Sequence, residues 1–185
     1  MTEPQTSPQD WSIPGREGGS VRVLVVDDQE IIRLGLVRIL AKHGFQCLEA
    51  TGGEQALEIL GREPVDLVLS DLLMPGMNGL DLVKAMASRI PETAVVMVTA
   101  MDSVDMAMEC LAQGAYGYLL KPARTNAVLI QVASALRRRM LEREFRDREA
   151  VLAHKVREQT QEIRASREEI AFRLPVSQLE GFASI

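Results

Sequence analysis

Short apolar runs alternate along this chain with stretches in which apolar residues recur every three or four positions. Val21 to Val26 is a β-branched run with one interruption, Arg22, and predicts a buried strand. Ile32, Leu36, Ile39 and Leu40 follow at helical spacing, and Gly44 suits a left-handed helix end. Phe45 to Ala50 predicts a second strand and Gly53 to Leu60 a short helix. Asp66 to Ser70 predicts a third strand, followed by a loop with Pro75, Gly76, Asn78 and Gly79. Val83, Met86, Ala87 and Ile90 mark the next helix, Ala94 to Val98 a fourth strand, and Val104, Ala107, Met108 and Leu111 another helix. Tyr116 to Leu120 predicts a fifth strand, and a last helix starts near Thr125 and Asn126.

Five strands alternating with five helices predict an α/β fold, a doubly wound parallel sheet with helices on both faces. The last helix does not stop where such a domain ends. No Gly or Pro occurs from Asn126 to Arg173, and Pro175 then ends it. At 1.5 Å per residue this helix reaches roughly 70 Å. Phe145, Leu152, Val156, Ile163 and Ile170 fit one four-three seam, which Gln159 and Ser166 weaken. A helix this long has little of its own to pack on, so a two-stranded parallel coiled coil, making the protein a homodimer, is favoured over a solvated single helix.

Composition separates these two parts. Of 185 residues, 46% are apolar and 25% charged, and the net charge is −5. Residues 137–173 carry 11 basic and 8 acidic residues, a net of +3, which leaves −8 elsewhere. The balance excludes a strongly basic nucleic-acid binder. Arg137, Arg138 and Arg139 read as a solvated helix face with no helix-turn-helix after them, so no nucleic acid is expected as a partner. Cys47 and Cys110 lack any CxxC context and read as small buried hydrophobes in a reducing compartment. No run nears the roughly 18 apolar residues of a membrane helix, and the first 20 residues, with three Pro and three Gly, read as a disordered leader rather than a signal. A cytoplasmic protein without membrane contact is expected, with Trp11 an incidental residue of the leader.

In doubly wound sheets the chemistry gathers at the carboxyl ends of the strands. Here those positions hold Asp27 and Asp28, Asp71, Thr99 and Ala100, and Lys121 and Pro122. Three clustered carboxylates repel one another unless a cation joins them, and oxygen-only ligands suit Mg²⁺. A lysine and a threonine opposite would hold phosphoryl oxygens, and the small Ala100 leaves room. The constellation points to phosphoryl transfer to a carboxylate, giving an aspartyl-phosphate.

These motifs resemble the receiver domain of two-component response regulators. The matching segments are Val-Asp-Asp-Gln at 26–29, Ser-Asp-Leu-Leu-Met-Pro-Gly-Met-Asn-Gly at 70–79, Val-Thr-Ala at 98–100 and Gly-Ala-Tyr-Gly-Tyr-Leu-Leu-Lys-Pro at 114–122. The resemblance implies a flavodoxin-like strand order 2-1-3-4-5. It makes Asp71 the phospho-acceptor, served by a histidine kinase or phosphotransfer protein. It implies Mg²⁺ bound directly by Asp28, mainly through water by Asp27, by Asp71, and by the backbone carbonyl of Leu73. Thr99 and Lys121 would hold the phosphoryl group, Tyr118 would be the switch aromatic that turns inward when Thr99 moves, and the Lys121–Pro122 bond would be cis. Leu73 and Met101 fall where the family flanks the path of attacking water, and both are apolar, so they are expected to crowd the phosphoryl group and slow its hydrolysis. Residues 162–174 resemble the helix that leads into the HD-GYP domain of receiver–HD-GYP phosphodiesterases.

The organisation read from these features is a leader at 1–20, a receiver at 21–140, a helical coiled-coil extension at 141–174 and a tail at 175–185. The function expected is a phosphorylation switch, not an enzyme beyond its own phosphorylation and dephosphorylation, that controls a partner through the helical extension. The alternatives are a coiled-coil dimeric adaptor and an N-terminal regulatory fragment of a receiver–HD-GYP cyclic-di-GMP phosphodiesterase. The chain contains neither a His-Asp pair nor a Gly-Tyr-Pro triplet, so no such phosphodiesterase chemistry is expected from its own residues. Dinucleotide and nucleotide-triphosphate binding is disfavoured because no GxGxxG or GxxxxGK[ST] follows the first strand. An aspartyl-phosphate phosphatase is disfavoured because Asp27 and Asp28 are adjacent, without the Asp-x-Asp spacing.

Overall fold

The structure, a computed structural model, describes residues 20–173. Residues 1–19 of the expected leader, with Trp11, and the tail at 175–185 lie outside the described residues, as does the side chain of Ile170. The elements run β1 (Arg22–Val26), α1 (Glu30–Lys42), β2 (Gln46–Ala50), α2 (Gly53–Leu60), β3 (Leu67–Ser70), α3 (Gly79–Arg89), β4 (Ala94–Thr99), α4 (Val104–Ala112), β5 (Gly117–Leu120) and α5 (Thr125–Arg173). All strand pairs are parallel and the order is β2-β1-β3-β4-β5, as expected of a doubly wound sheet.

Alternate side chains of each strand point to opposite faces, and this sorts the core into two layers. Leu24, Val26, Val68, Val95 and Met97 pack with Ala56, Leu60, Leu82, Val83, Met86 and Cys110 of α2, α3 and α4. Val23, Val25, Leu67, Leu69, Val96 and Val98 pack with Leu36 and Leu40 of α1 and with Val128, Val132, Ala135 and Leu136 of α5. Both faces are covered, which is why the central strands read as unbroken apolar runs. Gly44 ends α1 at φ +84°, where a side chain would be strained.

One helix is turned differently from what its apolar spacing suggests. Val104, Met108 and Leu111 are exposed, while Cys110 is the residue of α4 buried in the core. The three-four spacing marks the helix correctly, but its apolar stripe faces outward, and Ser103 caps its start by accepting from the Met106 N–H.

The chain divides into two units after Leu141. In the second, α5 continues with every residue from Arg143 to Arg167 exposed, and Phe145, Leu152, Val156 and Ile163 are among them. Spaced ion pairs support it: Arg143 with Asp147, Arg148 with Glu144, and His154 with Glu158. No helix among the described residues is long and apolar enough to cross a membrane.

Candidate functional site

Parallel register brings the ends of β1, β3, β4 and β5 to one rim. Asp27 follows β1, and its N–H donates to the Ala50 carbonyl at 3.1 Å. Asp71 follows β3, and its N–H donates to the Val26 carbonyl at 2.8 Å. Lys121 follows β5, with its N–H on the Thr99 carbonyl at 2.8 Å. The sheet ladder thus sets Asp27, Asp71 and Lys121 one step beyond the last paired residue of β1, β3 and β5, and Thr99 at the last paired residue of β4.

Asp27, Asp28 and Asp71 come together: one carboxylate oxygen from each lies within 4.8 Å of the others. Asp27 and Asp71 are buried and Asp28 is exposed. Lys121 Nζ sits 2.7 Å from Asp27 Oδ2 and 2.9 Å from Asp71 Oδ2. The other oxygens of these two carboxylates are also engaged. Asp27 Oδ1 accepts from the Gln29 N–H at 2.9 Å, and Asp71 Oδ1 accepts from the Leu72 N–H at 2.7 Å. Burial alone would lower the Lys121 pKa, but hydrogen bonds and charge from Asp27 and Asp71 outweigh it, and the net shift is upward. The ammonium therefore stays charged between the two buried carboxylates.

The donor set fits Mg²⁺. It is all oxygen and carries a threefold negative charge with one ammonium against it, and the exposed Asp28 leaves a side open for water. Leu73 lies two residues beyond Asp71 in the β3–α3 loop, with its side chain exposed.

That loop is tied down by groups without chemistry of their own. Glu54 of α2 accepts from the Met77 N–H at 2.9 Å, and Asn78 caps α3 by accepting from the Asp81 N–H at 2.9 Å. A Cβ on Gly79 would overlap the Asp71 carbonyl oxygen, so only glycine lets α3 start this close to the acceptor.

On the opposite side, Thr99 is fully buried, and its Oγ1 accepts from the Met101 N–H at 3.2 Å. The Tyr118 ring packs against the core, and its hydroxyl donates to the Met101 carbonyl at 2.5 Å. The resemblance implied an inward turn as Thr99 moves; in this structure the ring is already inward, held by that hydrogen bond. Of the two apolar residues expected to crowd a phosphoryl group, Met101 is partly buried, in contact with the core, and Leu73 is exposed. The Lys121–Pro122 bond is cis, as expected.

The sequence reading missed Glu54, Arg33 and Glu49. Arg33 Nη1 donates to the Asp27 carbonyl at 2.9 Å, and its Nε donates to Glu49 Oε2 at 3.1 Å. One signal was present: Arg33 occupies the same helical phase as Leu36 and Leu40, an unusual place for a cation unless it has partners inside.

Comparison with known proteins places this geometry. The family model of the response regulator receiver domain matches residues 23–133. The chain is 40% identical over 123 residues to the response regulator protein PilR of Pseudomonas aeruginosa, covering 66% of this chain and 28% of PilR. It is 34% identical over 118 residues to a cyclic di-GMP phosphodiesterase of Thermotoga maritima, covering 64% of this chain and 32% of that protein. It is 39% identical over 101 residues to sporulation initiation phosphotransferase F of Bacillus subtilis, covering 55% and 82%. The chain thus spans less than a third of the length of the first two relatives. Among solved structures, the signal receiver domain of an HD domain-containing protein from Pseudomonas fluorescens aligns with a TM-score of 0.63 and 28% identity, covering 66% of this chain and 98% of that one. Receiver domains are phospho-accepting switches that bind Mg²⁺ at an acidic pocket and work with histidine kinases or phosphotransfer proteins. The family match spans more than half of the sequence, and the chain belongs to the response regulator receiver domain family of two-component signalling.

Proposed function

We propose that this protein is a phosphorylation switch in which Asp71 accepts a phosphoryl group from the phosphohistidine of a histidine kinase or phosphotransfer protein. One observation carries the reading: the Lys121 ammonium bridges Asp27 and Asp71 beside a third carboxylate, Asp28, at the carboxyl end of the sheet. Such an arrangement holds a nucleophilic carboxylate and a countercharge for the incoming phosphoryl oxygens at once.

Asp28, Asp27, Asp71 and the Leu73 carbonyl would hold Mg²⁺, which when bound neutralises charge on the phosphoryl oxygens. Asp71 is oriented by the Leu72 N–H, so one carboxylate oxygen stays aligned while the other attacks phosphorus. The P–N bond to the donor imidazole breaks as the acyl phosphate bond forms, and the imidazole leaves with the electron pair. Lys121 then exchanges its contact with the Asp71 carboxylate for a phosphoryl oxygen, and its raised pKa keeps it cationic throughout. Thr99, buried at the end of β4, would turn its hydroxyl from the Met101 N–H to another phosphoryl oxygen. Because Met101 is bonded to both Thr99 and Tyr118, that movement reaches the β4–α4 loop.

The output is a partner reached through α5, whose extension forms a homodimer along Phe145, Leu152, Val156, Ile163 and Ile170. The named relatives include a response regulator, a phosphodiesterase and a phosphotransferase, so similarity of receivers does not select among outputs. Two free cysteines support a cytoplasmic site of action, and neither nucleic acid nor membrane is proposed as a direct partner. We assign the residues of this chain no catalysis beyond phosphorylation and dephosphorylation of the receiver. The reading is tested by incubating the protein with acetyl phosphate and Mg²⁺, with labelling expected in the parent and abolished in Asp71→Asn.

A further inference from the structure

We infer that Arg33 is a positioning residue for the metal-binding carboxylates, acting through the backbone carbonyl of Asp27 and kept in place by Glu49. The inference rests on the Mg²⁺ site proposed above.

The β1–β2 ladder ends at the pair Val26 and Ala50. The carbonyl of Asp27, one residue further, has left the regular pairing just as the chain turns toward α1. A carbonyl in a half-buried turn needs a donor. Arg33, in the first turn and a half of α1, reaches back and supplies it at 2.9 Å. Asp27 is then held at every polar group: its N–H by Ala50, its Oδ1 by the Gln29 N–H, its Oδ2 by Lys121 and its carbonyl by Arg33. The Asp27 carbonyl lies in the peptide plane that joins it to Asp28. Fixing that plane restricts the direction in which Asp28 leaves the backbone, and Asp28 is the exposed member of the cluster.

Glu49 has a second effect. A guanidinium bonded to the backbone of Asp27 brings a positive charge toward the proposed cation site. Glu49 Oε2, 3.1 Å from Arg33 Nε, offsets that charge and fixes the plane of the guanidinium. The Arg33 side chain is only 12% exposed, while Glu49 is 40% exposed, so solvent screens the pair from the Glu49 side. Lysine cannot replace it, because one ammonium does not present two donors in the fixed fork that meets both the carbonyl and the carboxylate.

The test compares Arg33→Met, Arg33→Lys, Glu49→Gln and Asp28→Asn with the parent, all as full chains. Mg²⁺ affinity is read by calorimetry without phosphodonor, and phosphorylation by acetyl phosphate is then followed across a Mg²⁺ series. Outer partners of metal ligands typically matter tenfold or more in affinity. The expected result is about tenfold weaker Mg²⁺ binding in Arg33→Met and Arg33→Lys, and a smaller loss in Glu49→Gln. At saturating Mg²⁺ the plateau rate should return to near the parent's, which a loss of folded protein would not allow. If Asp28→Asn loses Mg²⁺ binding while all three Arg33 and Glu49 variants keep parental affinity, the positioning role is overturned and the metal site stands. If Asp28→Asn itself binds Mg²⁺ like the parent, the metal site falls and the positioning role with it. Variants that lower the plateau without moving the Mg²⁺ midpoint assign Arg33 to folding alone and overturn the inference.

Discussion

The hydroxyl of Tyr118 donates to the backbone carbonyl of Met101, 17 residues earlier in the chain, and the N–H of the same Met101 donates to Thr99. One residue of the β4–α4 loop therefore joins the end of β4 to the aromatic ring of β5. Tyr118→Phe removes the hydroxyl and keeps the ring. It should cost about 0.5–1.5 kcal/mol in urea unfolding, the net worth of one such bond. The Tyr118 phenol is pushed above its ordinary pKa by burial first, then by Cys110 and Asp102. The neutral, donating form is thus favoured in the folded state. Its contribution is complete below pH 10 and declines as pH rises past the folded pKa, and the difference between parent and Tyr118→Phe should shrink there. An unchanged difference at high pH would show that the hydroxyl is not the group responsible.

A second expectation concerns the lifetime of the phosphorylated state. Leu73, two residues beyond Asp71, is exposed, and Met101, two residues beyond Thr99, is partly buried; both side chains are apolar, so neither offers a polar group to orient water. Leu73→Asn combined with Met101→Glu should shorten the aspartyl-phosphate lifetime by about tenfold without preventing its formation. Decay of purified phosphoprotein in excess Mg²⁺ measures this. A double variant that decays no faster than the parent removes water access as the limit.

The extension gives a third. Phe145, Leu152, Val156 and Ile163 are each more than half exposed on α5, a large apolar seam for a helix otherwise carrying charge. Sedimentation equilibrium should show a dimer at roughly tens of micromolar chain, and Leu152→Lys with Ile163→Lys should yield a monomer with an intact receiver. A parent that sediments as a monomer under the same conditions contradicts the seam.

A fourth concerns the root of α5. Arg139 is buried, with Nη2 2.6 Å from Glu92 Oε2 but without a hydrogen bond there, and its Nε has no hydrogen-bond partner among the described residues. Removing the carboxylate leaves a buried cation poorly compensated. Glu92→Ala should lower stability by about 1–3 kcal/mol, moderated because Glu92 is 43% exposed. Arg139→Met, which removes charge and keeps the stem's packing, should cost less. Thermal unfolding of the two variants compares them directly, and a larger loss in Arg139→Met would mean that the pair is net stabilising.

Much of this was legible in the residues themselves. Strands with both faces covered are unbroken apolar runs, so β1, β3 and β4 stand out, and parallel order forces Asp27, Asp71, Thr99 and Lys121 to one rim. Other features depend on what lies opposite. Val104, Met108 and Leu111 have the spacing of a buried stripe, but spacing marks a face without saying which side the sheet covers. The inward Tyr118 depends on a carbonyl of another loop. Arg33 and Glu49 are ordinary charges until the turn after β1 brings the Asp27 carbonyl to the guanidinium that Glu49 also holds.

The central claim is that Asp71 receives the phosphoryl group. Acyl phosphates can be trapped by borohydride reduction, which converts the modified aspartate to homoserine. The protein is phosphorylated with acetyl phosphate and Mg²⁺, reduced, digested and mapped by mass spectrometry. Homoserine at position 71 alone is the predicted result, with none in the Asp71→Asn variant. Homoserine at Asp27 or Asp28, or undiminished trapping in that variant, would contradict it.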